Sequence, residues 1–284
     1  MNNIELATIY LPLLDEVYKA EAKTSILDGD ETTVKKTGAG EIKVAKLDMD
    51  ALGDFDRKSG YTKGSTKFVW ETIKYDKERS QDLRIDRLDN QEALGMPFAK
   101  LSSEFLRTKV LPETDAARIA KISGTEGISM KEESLEDGES TVKALRACTN
   151  KMDEDEVPTE NRILFITPTL KGAVDDLDTI KSKKVLEKFS QIIEIPQNRM
   201  YTKVALHDGK EDYGYAKAEG GRNVNFLCVE KSAVVTAMEQ FVKYFTPDED
   251  QVADDNVFKY RNNNLYGHVY ENKLAGIYCS YDVE

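Results

Sequence analysis

Cysteine, histidine and tryptophan are scarce: the 284 residues hold three, two and one of them. The three cysteines, Cys148, Cys228 and Cys279, lie too far apart for a CxxC redox or zinc-ribbon motif, and three thiols on so long a chain make no disulfide scaffold. They read as buried, reduced thiols. With only His207 and His268, any Ser-His-Asp or Cys-His mechanism must use one of those two. Neither stands in a recognisable context, and no GxSxG elbow is present; His268, among tyrosines, reads as a sheet-packing residue. Long apolar runs are missing as well. Ile163 to Ile166 falls far short of the ~18 consecutive apolar residues of a membrane span. Met1-Asn2-Asn3-Ile4-Glu5 begins without a positive leader, an unbroken apolar stretch or a small-residue cleavage site, so the expectation is a cytoplasmic chain. Basic charge is also short: 40 Lys and Arg against 52 Asp and Glu give a net charge of −12, which argues against nucleic-acid binding through a general basic surface.

What is present is a chain that is 40% hydrophobic, enough for a sizeable core and for one large or two ordinary domains. Residues 4–27 read as an amphipathic arm (Ile4, Leu6, Ile9, Leu11, Leu13, Leu14, Val17) broken at Pro12, too short to fold alone. From Asp28 to Gly64 the composition shifts to Gly, Asp, Lys and Thr. Ile42, Val44 and Lys46 alternate with Lys43 and Ala45, and Lys67 to Tyr75 is β-rich, so the region reads as a long, charged, two-stranded excursion. An isolated hairpin is marginal in water and needs another surface. Phe68, Trp70 and Tyr75, with Lys63 and Lys67, are the candidate anchors to a neighbouring subunit, because aromatic side chains favour interface cores. The alternative is that these aromatics pack against their own domain.

Leu94, Phe98, Leu101 and Phe105 recur at helical spacing, and Ala116, Ala117, Ile119 and Ala120 continue the pattern beyond Pro112, which should kink or restart the helix. Gly124 and Gly127 end it. A second helix is expected over Ser140–Met152, a buried strand over Arg162–Ile166, a short helix opened by Thr167-Pro168, strands over Gln191–Ile195 and Asn223–Val229, and a helix near Ser232–Met238. Strands alternating with helices suggest an α/β lobe. The tail reads as three short strands, Val257–Arg261, Leu265–Tyr270 and Leu274–Tyr281, separated by turns at Asn262-Asn263-Asn264 and Glu271-Asn272-Lys273. The acidic clusters at Asp28-Gly29-Asp30, Asp153 to Glu156 and Asp248-Glu249-Asp250 lack EF-hand spacing, and Gly38-Ala39-Gly40 lacks the rest of a nucleotide-binding fingerprint. No active site, metal or cofactor emerges.

The order of arm, β excursion, kinked long helix, α/β lobe and returning β tail resembles the major capsid proteins of tailed bacteriophages. Asp82 to Asn90 with Glu92-Ala93-Leu94 resembles that family's passage from extended loop to spine helix, and Val110 to Arg118 its proline-containing helix. Glu156 to Ile166 and Ile193 to Met200 resemble the axial domain; Phe245 to Asp248, Tyr260-Arg261 and Val269 to Tyr278 resemble the return strands. The resemblance covers the chain from about residue 65 onward. It implies an α+β fold of the Hong Kong 97 type: arm 1–29, extended loop and flanking strands 30–85, peripheral domain with spine helix 86–128, axial domain 129–250 and return strands 251–284. It also implies a non-enzymatic coat protein without cofactors, self-assembling into hexamers and pentamers around double-stranded DNA. Its location is the virion, with assembly in the host cytoplasm, and its further partners are a portal and, since the arm leaves no room for an independent scaffold domain, a separate scaffolding protein. Opposite charges in the excursion (Asp48, Asp50, Asp54, Asp56 against Lys43, Lys46, Arg57, Lys58, Lys63, Lys67) are expected to set register. Lys63, Lys67 and Asn262 to Asn264 are too commonplace in type to indicate isopeptide cross-linking. The alternatives are an encapsulin-like compartment of the same fold, which would hold protein rather than nucleic acid, and a cytosolic α/β enzyme.

Overall fold

The computed structural model describes residues 22–29, 34–36, 41–55, 57–58, 60–87, 102–249 and 255–283. Most of the expected arm and the start of the expected long helix, residues 88–101, lie outside these.

Two sheets and one long helix organise the body. Strand β4 (Lys77–Asp86) pairs with β12 (Asp255–Val269), which pairs with β11 (Val234–Phe245), all antiparallel. The second sheet has the order β5 (Ser129–Glu132), β13 (Ile277–Tyr281), β10 (Val224–Glu230), β6 (Arg162–Ile166), β7 (Gln191–Glu194). Its outer pairs are parallel and its inner pairs antiparallel, so the lobe expected to be α/β has a mixed sheet, because β10 and β13 return without a crossover helix. Strand β6 is buried along its length, and after Arg162 it is wholly apolar because both its faces are covered. Ile163 and Phe165 point to one core with Leu227 and Val229; Leu164 and Ile166 point to the other with Phe226 and Cys228.

The helix runs from Ser102 through a π segment, Leu106–Val110, into α1 (Leu111–Ser123). Pro112 therefore does not interrupt the helix. It sits in the first turn of α1, directly after wider π turns that absorb its missing N–H donor. Leu106, Val110 and Leu111 pack on the β4–β12–β11 sheet with Phe258 and Tyr260, whereas Ile119 and Ile122 pack on the five-stranded sheet. One helix thus ties the two sheets together. On the opposite face of the five-stranded sheet lies α2 (Gly138–Glu154), started by an Asp137/Ser140 capping box and burying Leu145, Cys148 and Met152. Helices α3 (Pro168–Asp176) and α4 (Ile180–Leu186) connect β6 to β7, and β8 (Val204–Leu206) with β9 (Tyr215–Lys217) forms a small hairpin.

Two expectations are corrected. Ser232–Met238 is not a helix: after a 3₁₀ turn, Val234, Val235 and Thr236 open strand β11. Their β-branched side chains favour strand, and the partner β12 supplies the ladder from about thirty residues away. Asn262-Asn263-Asn264 is not a turn either, because β12 runs unbroken through it, laddered on both sides by β11 and β4. The amides make a ladder of their own: Asn264 Nδ2 donates to Asn262 Oδ1 (3.0 Å), and Asn262 Nδ2 to Tyr260 Oη (3.2 Å), whose hydroxyl donates to Gln240 Oε1 (3.0 Å).

Candidate subunit interface

The excursion is a three-stranded strap, β1 (Val34–Lys36), β2 (Glu41–Met49) and β3 (Thr66–Lys74), with β2 in the middle; β1 is a strand that the alternation of apolar residues did not signal. Its base is clamped to the body. Ile42 and Val44 are buried against Val235, Ala237 and Leu265, with Ile73, Tyr75 and Tyr270 around them. Where the chain leaves for the strap, Gly29 N–H donates to Thr236 O (3.0 Å) and Thr236 Oγ1 to Asp28 Oδ1 (2.9 Å). Where it returns, Asp76 N–H donates to Asn264 O (2.8 Å), Tyr266 N–H donates to Asp76 Oδ2 (2.8 Å), and Lys121 Nζ lies 3.3 Å from Asp76 Oδ1.

Beyond the base, side chains of the same strands are largely exposed among the described residues. The β2–β3 register sets Leu47 opposite Phe68 and Met49 opposite Thr66, so Leu47, Met49, Phe68 and Trp70 share one face of the strap. Leu47, Met49 and Phe68 are 51%, 64% and 58% exposed. The connecting tip adds exposed Leu52, Phe55 and Tyr61. It is ordered by its own bonds: Ser65 N–H to Asp50 Oδ2 (2.7 Å), Thr62 Oγ1 to Asp54 O (2.7 Å), and an edge-to-face contact of Phe55 with Tyr61. Elsewhere among the described residues the large exposed apolar side chains, Met130, Ile180, Tyr213 and Val283, are scattered. Contiguous exposed apolar strips of this kind are the surfaces on which proteins commonly meet partners.

The structure brings Phe68 and Trp70 together, edge to face with centroids 5.6 Å apart, and places Lys35 Nζ 4.3 Å from the Trp70 ring. Lys67 is exposed on the opposite face and Lys63 is exposed in the tip loop. Tyr75 is set apart from them: it packs at the clamped base, where burial pushes its hydroxyl up to about 12. Of the charges expected to set register, Lys43, Lys46, Asp50, Asp54, Arg57 and Lys58 are exposed, and Asp56 lies outside the described residues. Sequence reasoning missed Leu47, Met49, Leu52, Phe55 and Tyr61. The alternation that marked Ile42 and Val44 continues on the other strand face at Leu47 and Met49, and that was the available signal.

A buried polar latch holds the end of the arm. Asp115 of α1, fully buried, accepts from Thr24 Oγ1 (2.7 Å) and Thr24 N–H (3.1 Å) and lies 3.3 Å from Arg199 Nη1. Arg118, one turn on and also fully buried, donates to Thr24 O (3.2 Å) and to Asp28 Oδ1 (2.7 Å). Arm, spine helix, β11 and the 3₁₀ turn Gln197–Arg199 therefore meet at one point. A second linkage joins β4 to the helix: Arg79 forms a bidentate pair with Glu113 (2.7 and 3.0 Å) and donates to His207 O of the β8–β9 hairpin (2.6 Å).

Cys148, Cys228 and Cys279 are buried free thiols, as expected. Ser232 Oγ lies 2.8 Å from Lys273 Nζ and 2.6 Å from Glu230 Oε2, a cluster that fastens the turn before β13 to the turn before β11. Among the described residues no group of three His, Cys, Asp or Glu could hold a metal ion, and no helix is long and apolar enough to cross a membrane.

No protein-family model matches the sequence, and no curated protein matches it. Solved structures do. The virus-like particle from Pyrococcus furiosus aligns with TM-score 0.57 at 15% identity over 94% of this chain and 95% of that one. The capsid of cyanophage P-SCSP1u aligns with TM-score 0.56 at 14% identity, covering 88% of this chain and 85% of that one. The mature capsid of bacteriophage PhiM1 aligns with TM-score 0.55 at 9% identity, covering 88% and 84%. At these identities the likeness is one of fold: the chain has the Hong Kong 97-type capsid fold expected from its order of elements.

Proposed function

We propose that this chain is the major capsid protein of a tailed bacteriophage, a structural subunit whose copies form the hexamers and pentamers of an icosahedral shell around double-stranded DNA. The observation that carries the reading is the strap, anchored at its base and apolar along its free shaft, on a body with a capsid fold. A projection that exposes Leu47, Met49 and Phe68 gains by covering them, and modest contacts repeated around rings add up to a closed shell. The peripheral part is the spine helix with β4, β11 and β12, and the axial part is the five-stranded sheet with α2 to α4. Portal and scaffolding proteins are partners in this reading, and the net charge of −12 keeps packaged DNA from adhering to the inner wall. The subunit belongs to the virion after assembly in the host cytoplasm.

Negative-stain microscopy and sedimentation of the purified chain test it. Shells or capsomer rings are expected, and the double substitution Leu47→Ser with Phe68→Ser should abolish them while leaving the melting temperature of the unassembled chain nearly unchanged, since both side chains are exposed there. A solitary monomer at every concentration would end the reading.

One observation favours a second reading, a shell of the same fold that holds protein cargo: the Pyrococcus furiosus neighbour is described as a virus-like particle rather than a phage capsid. Nuclease-protected DNA in native particles, as opposed to a packaged protein, separates the two.

A further inference from the structure

Strand β3 is an edge strand. It pairs with β2 in an unbroken register from Thr66 to Lys74, and no strand among the described residues lies along its other edge. Long open edges template pairing with another chain, and proteins usually guard them with proline, a bulge or charge. This edge has neither proline nor bulge, and the charges of its first seven residues differ in sign: Lys67 and Glu71.

Read as a pairing partner for itself, Thr66-Lys67-Phe68-Val69-Trp70-Glu71-Thr72 is a palindrome of complementary types centred on Val69. Antiparallel to a second copy about that centre, Lys67 faces Glu71, Phe68 faces Trp70, Thr66 faces Thr72, and Val69 faces Val69. Opposite charges, aromatic pairs and Thr–Thr pairs are the stabilising cross-strand combinations. A parallel in-register pairing would instead set Lys67 on Lys67 and Glu71 on Glu71. Slipping the antiparallel centre by one residue, to Phe68 or Trp70, sets Lys67 opposite Val69 or Ile73 and loses both Lys67–Glu71 pairs and both Phe68–Trp70 pairs.

We propose that β3 of one subunit pairs with β3 of a second copy, antiparallel about a two-fold axis through Val69, joining two straps into one six-stranded sheet. The inference rests on the strap being a subunit contact, and it names the partner segment. The joined sheet also sets Leu47, Phe68 and Trp70 of both copies on one continuous face, extending the apolar strip. A three-stranded sheet is near the lower limit of independent stability, and doubling it explains how so exposed a projection is held in the assembly.

A residue on a two-fold axis meets its own copy, which makes the test direct. In the full-length chain, Val69→Cys should form a disulfide dimer on mild oxidation, whereas Lys67→Cys, displaced from the axis, should not; the native thiols are buried and give little background. Lys67→Glu and Glu71→Lys should each weaken the dimer of unassembled chain roughly tenfold to a hundredfold in sedimentation equilibrium, by turning two attractive pairs repulsive. Mixing the two single variants should restore association, since each then supplies what the other lacks, and a merely structural role for either residue would give no such rescue. Cross-linking at Lys67→Cys as readily as at Val69→Cys, or no rescue on mixing, would overturn the pairing. If Val69→Cys assembles into shells but never cross-links, the pairing is wrong and the shell reading stands; cross-linked dimers that never form shells keep the pairing and end the shell reading.

Discussion

Replacing Asp115 with alanine tests whether the arm is anchored as the latch implies. The carboxylate is fully buried and accepts two hydrogen bonds from Thr24 while facing Arg199. Its removal orphans the Thr24 N–H and hydroxyl and leaves Arg118 and Arg199 with less compensating negative charge in a dry site. Breaking a buried charged network by deleting one partner costs about 3–5 kcal/mol. At roughly 2–4 °C per kcal/mol for a chain somewhat smaller than this one, the melting temperature should fall by about 6–20 °C. Part of that loss can be evaded if residues 22–29 simply detach, so urea unfolding should be paired with limited trypsinolysis. Lys23 is exposed beside the latch, and its peptide bond should become markedly more susceptible in Asp115→Ala. A variant that loses less than about 1 kcal/mol and keeps Lys23 as resistant as the parent would refute the latch.

Gly138→Ala should destabilise although it removes a glycine from a helix: the added Cβ would lie 2.1 Å from Ala173 O, a backbone atom of α3 that cannot give way, and urea unfolding should show a loss of about 1–3 kcal/mol or more. Asn262→Ala leaves the Asn264 amide and the Tyr260 hydroxyl short of partners inside β12, with an expected cost of about 1–3 kcal/mol in the same assay. Burial holds the His268 imidazole below its usual 6.5, with Glu71, Asp76 and Glu271 acting against Lys46 around it. The unfolded chain therefore takes up a proton near 6.5 that the folded chain refuses, so stability should fall on acidification below about pH 6.5. His268→Gln should flatten that slope, as followed by melting temperature against pH.

Local pattern was enough for β6, α2 and the strap strands β2 and β3, where alternation or helical spacing coincides with burial: Ile42 and Val44 face the body, and Leu145 and Cys148 face the sheet. It failed where a distant partner decides. Asn262 to Asn264 are turn formers by type, but lying between β11 and β4 they satisfy their amides on one another. Within the candidate interface, Phe68 and Trp70 were legible as aromatics in a charged segment; Leu47 and Met49 were not, because only the β2–β3 register shows that they share a face with them.

The clamped base bears on how the strap works. A loop that became ordered only upon binding would pay its ordering entropy at the moment of assembly, lowering affinity for each unit of area buried. Here Ile42, Val44, Ile73 and Tyr75 fix the strap's root on β11 and β12, Asp76 ties its return to β12 and α1, and the tip closes on its own hydrogen bonds. Much of that entropy is lost in folding the subunit, so the shaft presents Leu47, Met49 and Phe68 in a preset geometry. Loosening the root should therefore weaken assembly without touching a contact residue. Ile42→Ala, which deletes a fully buried side chain on the face turned away from Leu47 and Phe68, should raise the concentration needed for assembly in light scattering, while Lys43→Ala, an exposed neighbour, should not. Equal behaviour of the two variants would mean that the shaft acts independently of its root.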